Sequence, residues 1–176
     1  MRSTFIIFAF TLLFAFLSAC NVSIKKGTKL VKHYDDGKIE SQISIINNKK
    51  NGEATLFYHN GQIKQQGNWK DDKQEGVWLF YYEDGKVSQK IPFKNDLQDG
   101  LSVFYYPDGS LSQETNFIKG KPDGIAKIYY QGINKVKNLS NWNYGKRNGE
   151  QTIFDSIGLG FRKYIWKDDS VVKSLQ

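Results

Sequence analysis

Hydrophobic positions along the chain fall into two regimes. One unbroken apolar run, Phe5–Phe16, stands near the start, and the rest of the chain alternates. Around Ile63–Trp69, residues Ile63, Gly67 and Trp69 read onto one face of a strand, while Lys64, Gln66 and Asn68 read onto the other. Val87, Ile91 and Phe93 repeat the first set 24 residues later. After the apolar run no segment shows the period of about 3.6 residues that a packed helix needs. The alternation therefore predicts strands throughout and essentially no helix.

The strands recur at fixed spacing. Gly52, Gly76, Gly100 and Gly124 lie 24 residues apart, and Gly149 follows at 25. Gly37, Gly61, Gly85 and Gly109 form a second series with the same spacing of 24. A large apolar column, Ile45, Trp69, Phe93, Phe117 and Trp142, precedes each member of the first series by seven residues. Coincident columns of this kind define an internal repeat. The slip of one residue around Gly132 predicts a small insertion there. Asp36-Gly37, Asn60-Gly61, Asp84-Gly85 and Asp108-Gly109 are hairpin signals. A second turn falls at Asn48, Asp72, Asp96, Gly120 and Gly145, residue types that tolerate a left-handed backbone.

The pattern Gly-x3-apolar-aromatic-Tyr-x-[Asn/Asp]-Gly, then aromatic-x2-[Gly/Asn/Asp]-Lys-x2-Gly, resembles the bacterial variant of the MORN repeat over roughly residues 28–170. The resemblance implies an all-β fold: an elongated, single-layer antiparallel β-meander of stacked hairpins. At about 4.8 Å per strand, a dozen strands would make a rod on the order of 55 Å long. The end units depart from the pattern, with Lys32 and His33 at apolar and aromatic positions and Asp155 at a Tyr position. Such departures suit the caps of a stack.

"VFYYPDG", Val103–Gly109, raises the question of which tyrosine faces the core. A two-residue loop on Asp108-Gly109 would put Tyr106 on the face of Leu111. A three-residue loop, with Pro107 and Asp108 in a type I turn and Gly109 left-handed, would put Tyr105 there with Leu111 and Phe117. Pro107 has no N–H to give to a paired position and favours the three-residue loop. The first aromatic column, Phe57, Tyr81, Tyr105, Tyr129 and Phe154, accepts a ring with or without a hydroxyl, as a core position does. The second, Tyr34, Tyr58, Tyr82, Tyr106 and Tyr130, is uniformly tyrosine. It reads as a half-exposed ladder on an open face beside Leu56, Phe80, Phe104 and Ile128, suited to binding a partner or to cross-strand packing.

At the amino end, Arg2, the apolar run and Leu17-Ser18-Ala19-Cys20 resemble a bacterial lipoprotein signal with its lipobox. The expected organisation is a signal peptide at 1–19, a lipid-anchored tether at 20–28 and the repeat domain at 29–176. Cys20, the chain's one cysteine, is the expected acylation site. This places the protein in the cell envelope, with the periplasmic face of the outer membrane as the default. Formal charge is +7, falling to about +6 once Arg2 leaves with the signal. Lys49, Lys73, Lys121 and Lys146 follow the second turns and form a basic edge, broken by Leu97. An envelope address makes nucleic acid the poorest partner for that charge.

Catalysis finds no constellation in this sequence. Only His33 and His59 are present, each beside a turn, and the pairs Asp35-Asp36, Asp71-Asp72 and Asp168-Asp169 sit where turns explain them. Adjacent acid pairs offer too few oxygens for calcium, so no metal or cofactor is expected. The reading is a non-enzymatic protein-binding module. Bacterial proteins with this repeat variant are described as YwqK-type antitoxins, so the resemblance implies an antitoxin or immunity protein that neutralises a toxin. The alternative is a scaffolding envelope lipoprotein whose lysine edge meets anionic lipid.

Overall fold

The computed structural model describes residues 27–157 and 160–175. The signal segment, Cys20 and most of the tether lie outside the described residues. No helix occurs among the described residues. The first hairpins are β1 (Thr28–His33) with β2 (Ile39–Ile46), and β3 (Lys49–Phe57) with β4 (Ile63–Lys70). β5 (Lys73–Tyr81) and β6 (Val87–Lys94) follow, then the short β7 (Leu97–Gln98), β8 (Gly100–Tyr105) and β9 (Leu111–Ile118). Beyond the short β10 (Lys121–Pro122) come β11 (Gly124–Tyr129), β12 (Val136–Asn143), β13 (Lys146–Phe154), β14 (Phe161–Lys167) and β15 (Ser170–Leu175). All fifteen form one antiparallel sheet in sequence order, with β7 and β10 as side pieces of their neighbours. The meander expected from the repeat is the fold.

Two kinds of turn build it. At the Asp-Gly turns, Gly109 N–H donates to Tyr106 O at 2.8 Å and Tyr106 N–H to Ser110 O at 2.8 Å. Gly109 is left-handed at φ 86, so the loop has three residues, as Pro107 predicts. Tyr34, Tyr58 and Tyr82 close their turns in the same way. The insertion near Gly132 is also present, because Tyr130 N–H reaches Lys135 O, one residue further on. The other turns are two-residue type I′ loops in which both central residues have positive φ. Asp71 and Asp72 stand at φ 49 and 67, and Lys119 and Gly120 at φ 48 and 80.

A bulge recurs in the hairpins from β1–β2 to β11–β12, though not in β13–β14, and changes the face arithmetic. Phe104 pairs with Gln113 but Tyr105 pairs with Leu111, so Ser112 is an extra residue. Leu111 therefore shares a face with Tyr105, as expected, whereas Phe117 does not. Phe117 pairs with Gly100, on the face of Ser102 and Phe104. The same shift recurs in the two preceding hairpins, at Leu56/Phe57 and at Phe80/Tyr81. One extra residue flips every later side chain to the other side.

Burial then reverses the faces assigned from sequence. Ala54, Trp78, Ser102 and Ala126, spaced 24 apart, are all buried. They alternate with Leu56, Phe80, Phe104 and Ile128 along the second tyrosine's side of the sheet. On the side of Tyr105, Val77 is 57% exposed, Leu101 52% and Ile125 57%. The face expected to be open carries most of the packing, and the face expected to be core is exposed along this row, although Tyr129 of its aromatic column is buried, at 7% exposure. Trp78 supplies the largest buried side chain, and it lies over Gly67, where an added Cβ would come within 2.3 Å of its ring. Trp69 and Phe93 meet it edge-on, with ring centroids 5.4 and 6.5 Å away.

Candidate functional site

Tyrosines of the ladder are used by the chain itself. Tyr34 Oη donates to Phe57 O at 2.6 Å, Tyr58 Oη to Tyr81 O at 2.7 Å, and Tyr82 Oη to Tyr105 O at 2.7 Å. Tyr106 Oη reaches Tyr129 O at 2.9 Å, and Tyr130 Oη reaches Phe154 O at 2.8 Å. Each hydroxyl thus reaches the first aromatic of the following repeat. This explains why the column is uniformly tyrosine: the carbonyl it meets needs a donor, which Phe cannot supply. All five residues are half-buried. Lys64 lies 5.8 Å from the Tyr58 ring and Lys137 5.5 Å from the Tyr130 ring, each from the bulge position of its hairpin.

The opposite edge is hooked in a similar way. Asp72 N–H donates to Lys50 O at 3.0 Å, and Lys50 N–H returns a bond to Asp72 Oδ1 at 2.7 Å. Asp96 with Gln74, and Asp169 with Arg147, repeat this reciprocal pair. Gly120 and Gly145 keep only the backbone half, to Gln98 and Pro122. The basic-edge lysines Lys49, Lys73, Lys121 and Lys146 are all exposed beside these turns. Lys49 Nζ lies 3.8 Å from Asp71, and Lys121 Nζ lies 4.3 Å from the Tyr144 ring. Strand alternation puts this column on the Tyr105 face, since Lys73 pairs with Lys70, one residue beyond Trp69 of the packed face.

The exposed face therefore brings together two sets of groups. Across its middle runs the row Val77, Leu101 and Ile125, with Glu53 and Glu150 in the equivalent positions of the outer repeats. Leu79 and Val103 flank it, with Lys90 paired to both. Toward the turn edge stand Lys73, Lys94 and Leu97, the last 47% exposed. Sequence reasoning missed this row. Its signal is the residue after each first-series glycine, reading Glu53, Val77, Leu101, Ile125, Glu150. The bulge hid which side that residue takes.

A part-buried polar pair lies on this face. Tyr129 Oη donates to Glu114 Oε2 at 2.6 Å, and Lys127 Nζ lies 3.3 Å from the same oxygen. The Tyr129 hydrogen bond, followed by the Lys127 charge, holds the Glu114 carboxyl below its ordinary range. Burial, reinforced by Glu114, pushes the Tyr129 hydroxyl up to about 12. His59 Nε2 meets Asp36 at 3.1 Å and stacks at a tilt on Tyr34, while His33 is exposed. Among the described residues no group of three or more His, Cys, Asp or Glu is placed to hold a metal ion.

An open, one-layer meander stapled at both edges from unit to unit defines a β-repeat platform protein. Residues 50–71, 74–95 and 98–119, three consecutive units, match the MORN repeat variant. No curated protein matches the chain.

Proposed function

We propose that the chain is a non-enzymatic binding module, and that its binding surface is the face carrying Val77, Leu101 and Ile125. The observation that carries this reading is the exposure of that row. A chain that hides Trp78 and Ala54 leaves three aliphatic side chains more than half exposed in register on the other side. Aligned apolar exposure of that kind marks a contact surface. The tyrosine ladder then serves the platform rather than the partner, because its hydroxyls are already bonded within the chain.

In its finer form the proposal is a lipid-anchored antitoxin or immunity protein, acylated at Cys20, held in the cell envelope on the periplasmic face of the outer membrane, with a toxin as its protein partner. The resemblance of the repeats and the lipobox-like Leu17–Cys20 support it. A photo-crosslinking residue in place of Leu101, tested in cells, is expected to give a discrete protein adduct. The same residue in place of Phe104, on the packed face, is expected to give none. Equal labelling at both positions, or no protein adduct at Leu101, overturns the reading. For the anchor, Cys20→Ala is expected to abolish fatty-acid incorporation, and continued incorporation excludes acylation at Cys20.

A second reading, a scaffold on anionic lipid, is favoured by one observation: the basic edge Lys49, Lys73, Lys121 and Lys146 is exposed on the same face as the apolar row. It requires salt-sensitive sedimentation of the chain with anionic vesicles.

A further inference from the structure

We infer that Asn51 and Asn148 are sites of spontaneous deamidation, a covalent change that needs no reagent but water, and that Asn60 is protected from it by its turn. This chemistry is independent of what the exposed face binds. Three asparagines of the chain are followed by glycine: Asn51-Gly52, Asn60-Gly61 and Asn148-Gly149. In such a pair the glycine nitrogen, unshielded by any side chain, attacks the asparagine Cγ. The new N–C bond closes a succinimide ring, and the side-chain nitrogen leaves as ammonia, carrying the proton that the glycine nitrogen gives up. Water then adds to either ring carbonyl and breaks its bond to the ring nitrogen, giving aspartate or isoaspartate. Nothing is oxidised or reduced.

Local structure separates the three pairs. In the Asn60 turn, Gly61 N–H donates to Tyr58 O at 2.9 Å, which occupies the attacking nitrogen. Asn60 Oδ1 accepts the Gln62 N–H at 2.9 Å and Asn60 Nδ2 donates to Glu83 O at 3.3 Å, so both ends of the amide are held. Attack at Asn60 therefore waits on opening of the turn. Asn51 and Asn148 stand instead at β-bulges. Ile43 pairs with Ala54 and Ile45 with Lys50, so Asn51, Gly52 and Glu53 together oppose Ser44 alone. Ser140 pairs with Gln151 and Trp142 with Arg147, so Asn148, Gly149 and Glu150 oppose Asn141. Gly52 and Gly149 are in register with Trp69 and Trp166 on the other side, but Asn51 and Asn148 have no partner residue in either neighbouring strand. Neither side-chain amide makes a hydrogen bond among the described residues, which leaves each free to turn onto the nitrogen that follows it.

The bulges also fix glycine as the next residue. Its φ is 105 at Gly52 and 102 at Gly149, and an added Cβ would come within 3.2 Å of Ser44 and 3.3 Å of Asn141. A larger residue therefore cannot shield the attacking nitrogen at either place. The aspartate product fits, because the inner units carry Glu75, Asp99 and Asp123 in this column, each before its own glycine. There Glu75 and Asp123 accept the N–H of Asn95 and Tyr144 at the next turn. Each event removes one unit of charge, so the two together take the formal charge from +7 to +5.

The test ages the full chain at mildly alkaline pH and reads each site by mass spectrometry. Trypsin leaves Asn51 and Asn60 in one peptide, Asn51–Lys64, so fragmentation compares them within a single molecule, and Asn148 falls in the peptide Asn148–Arg162. Asn51 and Asn148 are expected to convert at least about tenfold faster than Asn60, whose turn must open first. In urea all three are expected to convert at similar rates, since each is followed by glycine. Equal rates in the folded chain, or a folded chain in which Asn60 leads, overturn the inference. So does a folded chain that converts nowhere while the urea sample does. Unequal rates in urea would trace the difference to sequence and overturn the structural cause. On ion exchange the aged chain is expected to split into more acidic forms. The double variant Asn51→Asp, Asn148→Asp should show no such splitting, and Asn60→Asp should split as the parent does. Splitting that survives in the double variant places the modified amides elsewhere and overturns the assignment.

Discussion

Ser102 is wholly buried and its hydroxyl has no partner, at a position where the neighbouring repeats carry Ala126 and Trp78 and the one before carries Ala54. Burying an unpaired hydroxyl costs stability, so Ser102→Ala should raise the free energy of unfolding by up to about 1 kcal/mol in a denaturant titration. A loss of stability would show that the hydroxyl is bonded. Gly67→Ala should go the other way. Its Cβ would meet the Trp78 ring at 2.3 Å, and a packed indole cannot give way that far. Overpacking of this kind costs about 1–3 kcal/mol, and the variant should lie at the upper end of that range. Tyr129 makes a prediction about pH. Its folded value of about 12 lies above the ordinary 10, so its contribution is complete below pH 10 and is lost as the pH rises from 10 to 12. Glu114 has the opposite sign: its carboxyl is held below 4.5, and its contribution is lost as the pH falls below that value. Tyr129→Phe should flatten the alkaline loss and remove one tyrosine ionisation near pH 12 from an absorbance titration.

At the scale of the hairpin, the two turns and the staples work together. Tyr82→Phe keeps the ring and removes the donor to Tyr105 O, and it should cost about 1 kcal/mol by chemical denaturation. An unchanged midpoint would mean that the ladder stabilises through its rings alone. Legibility in the sequence also divides at this scale. Strand identity, turn positions and the three-residue loop can all be read, because Pro107, Gly109 and the alternation each act within a few residues. The extra residue at Ser112 cannot, since no residue type there demands a bulge. Missing it places Phe117 with Tyr105 and exchanges the two faces. The ladder is visible as a column, but its purpose is not: each hydroxyl's acceptor lies 23 or 24 residues away in sequence.

For the whole molecule, one layer must serve as both core and surface. Stacking lets each repeat complete its neighbour, so Trp78 closes over Gly67 from the next strand and the tyrosines tie one unit to the next. That leaves the Tyr105 face free to carry Val77, Leu101 and Ile125 in line with a lysine edge. Which face is free decides what the protein can bind. The most direct test is cysteine footprinting in a Cys20→Ala background, comparing Leu101→Cys with its neighbour Ser102→Cys. Leu101→Cys should alkylate at nearly the rate of an unstructured peptide, and Ser102→Cys should be protected on the order of a hundredfold or more. The reverse order, with position 101 protected and position 102 reactive, would contradict the assignment of the free face.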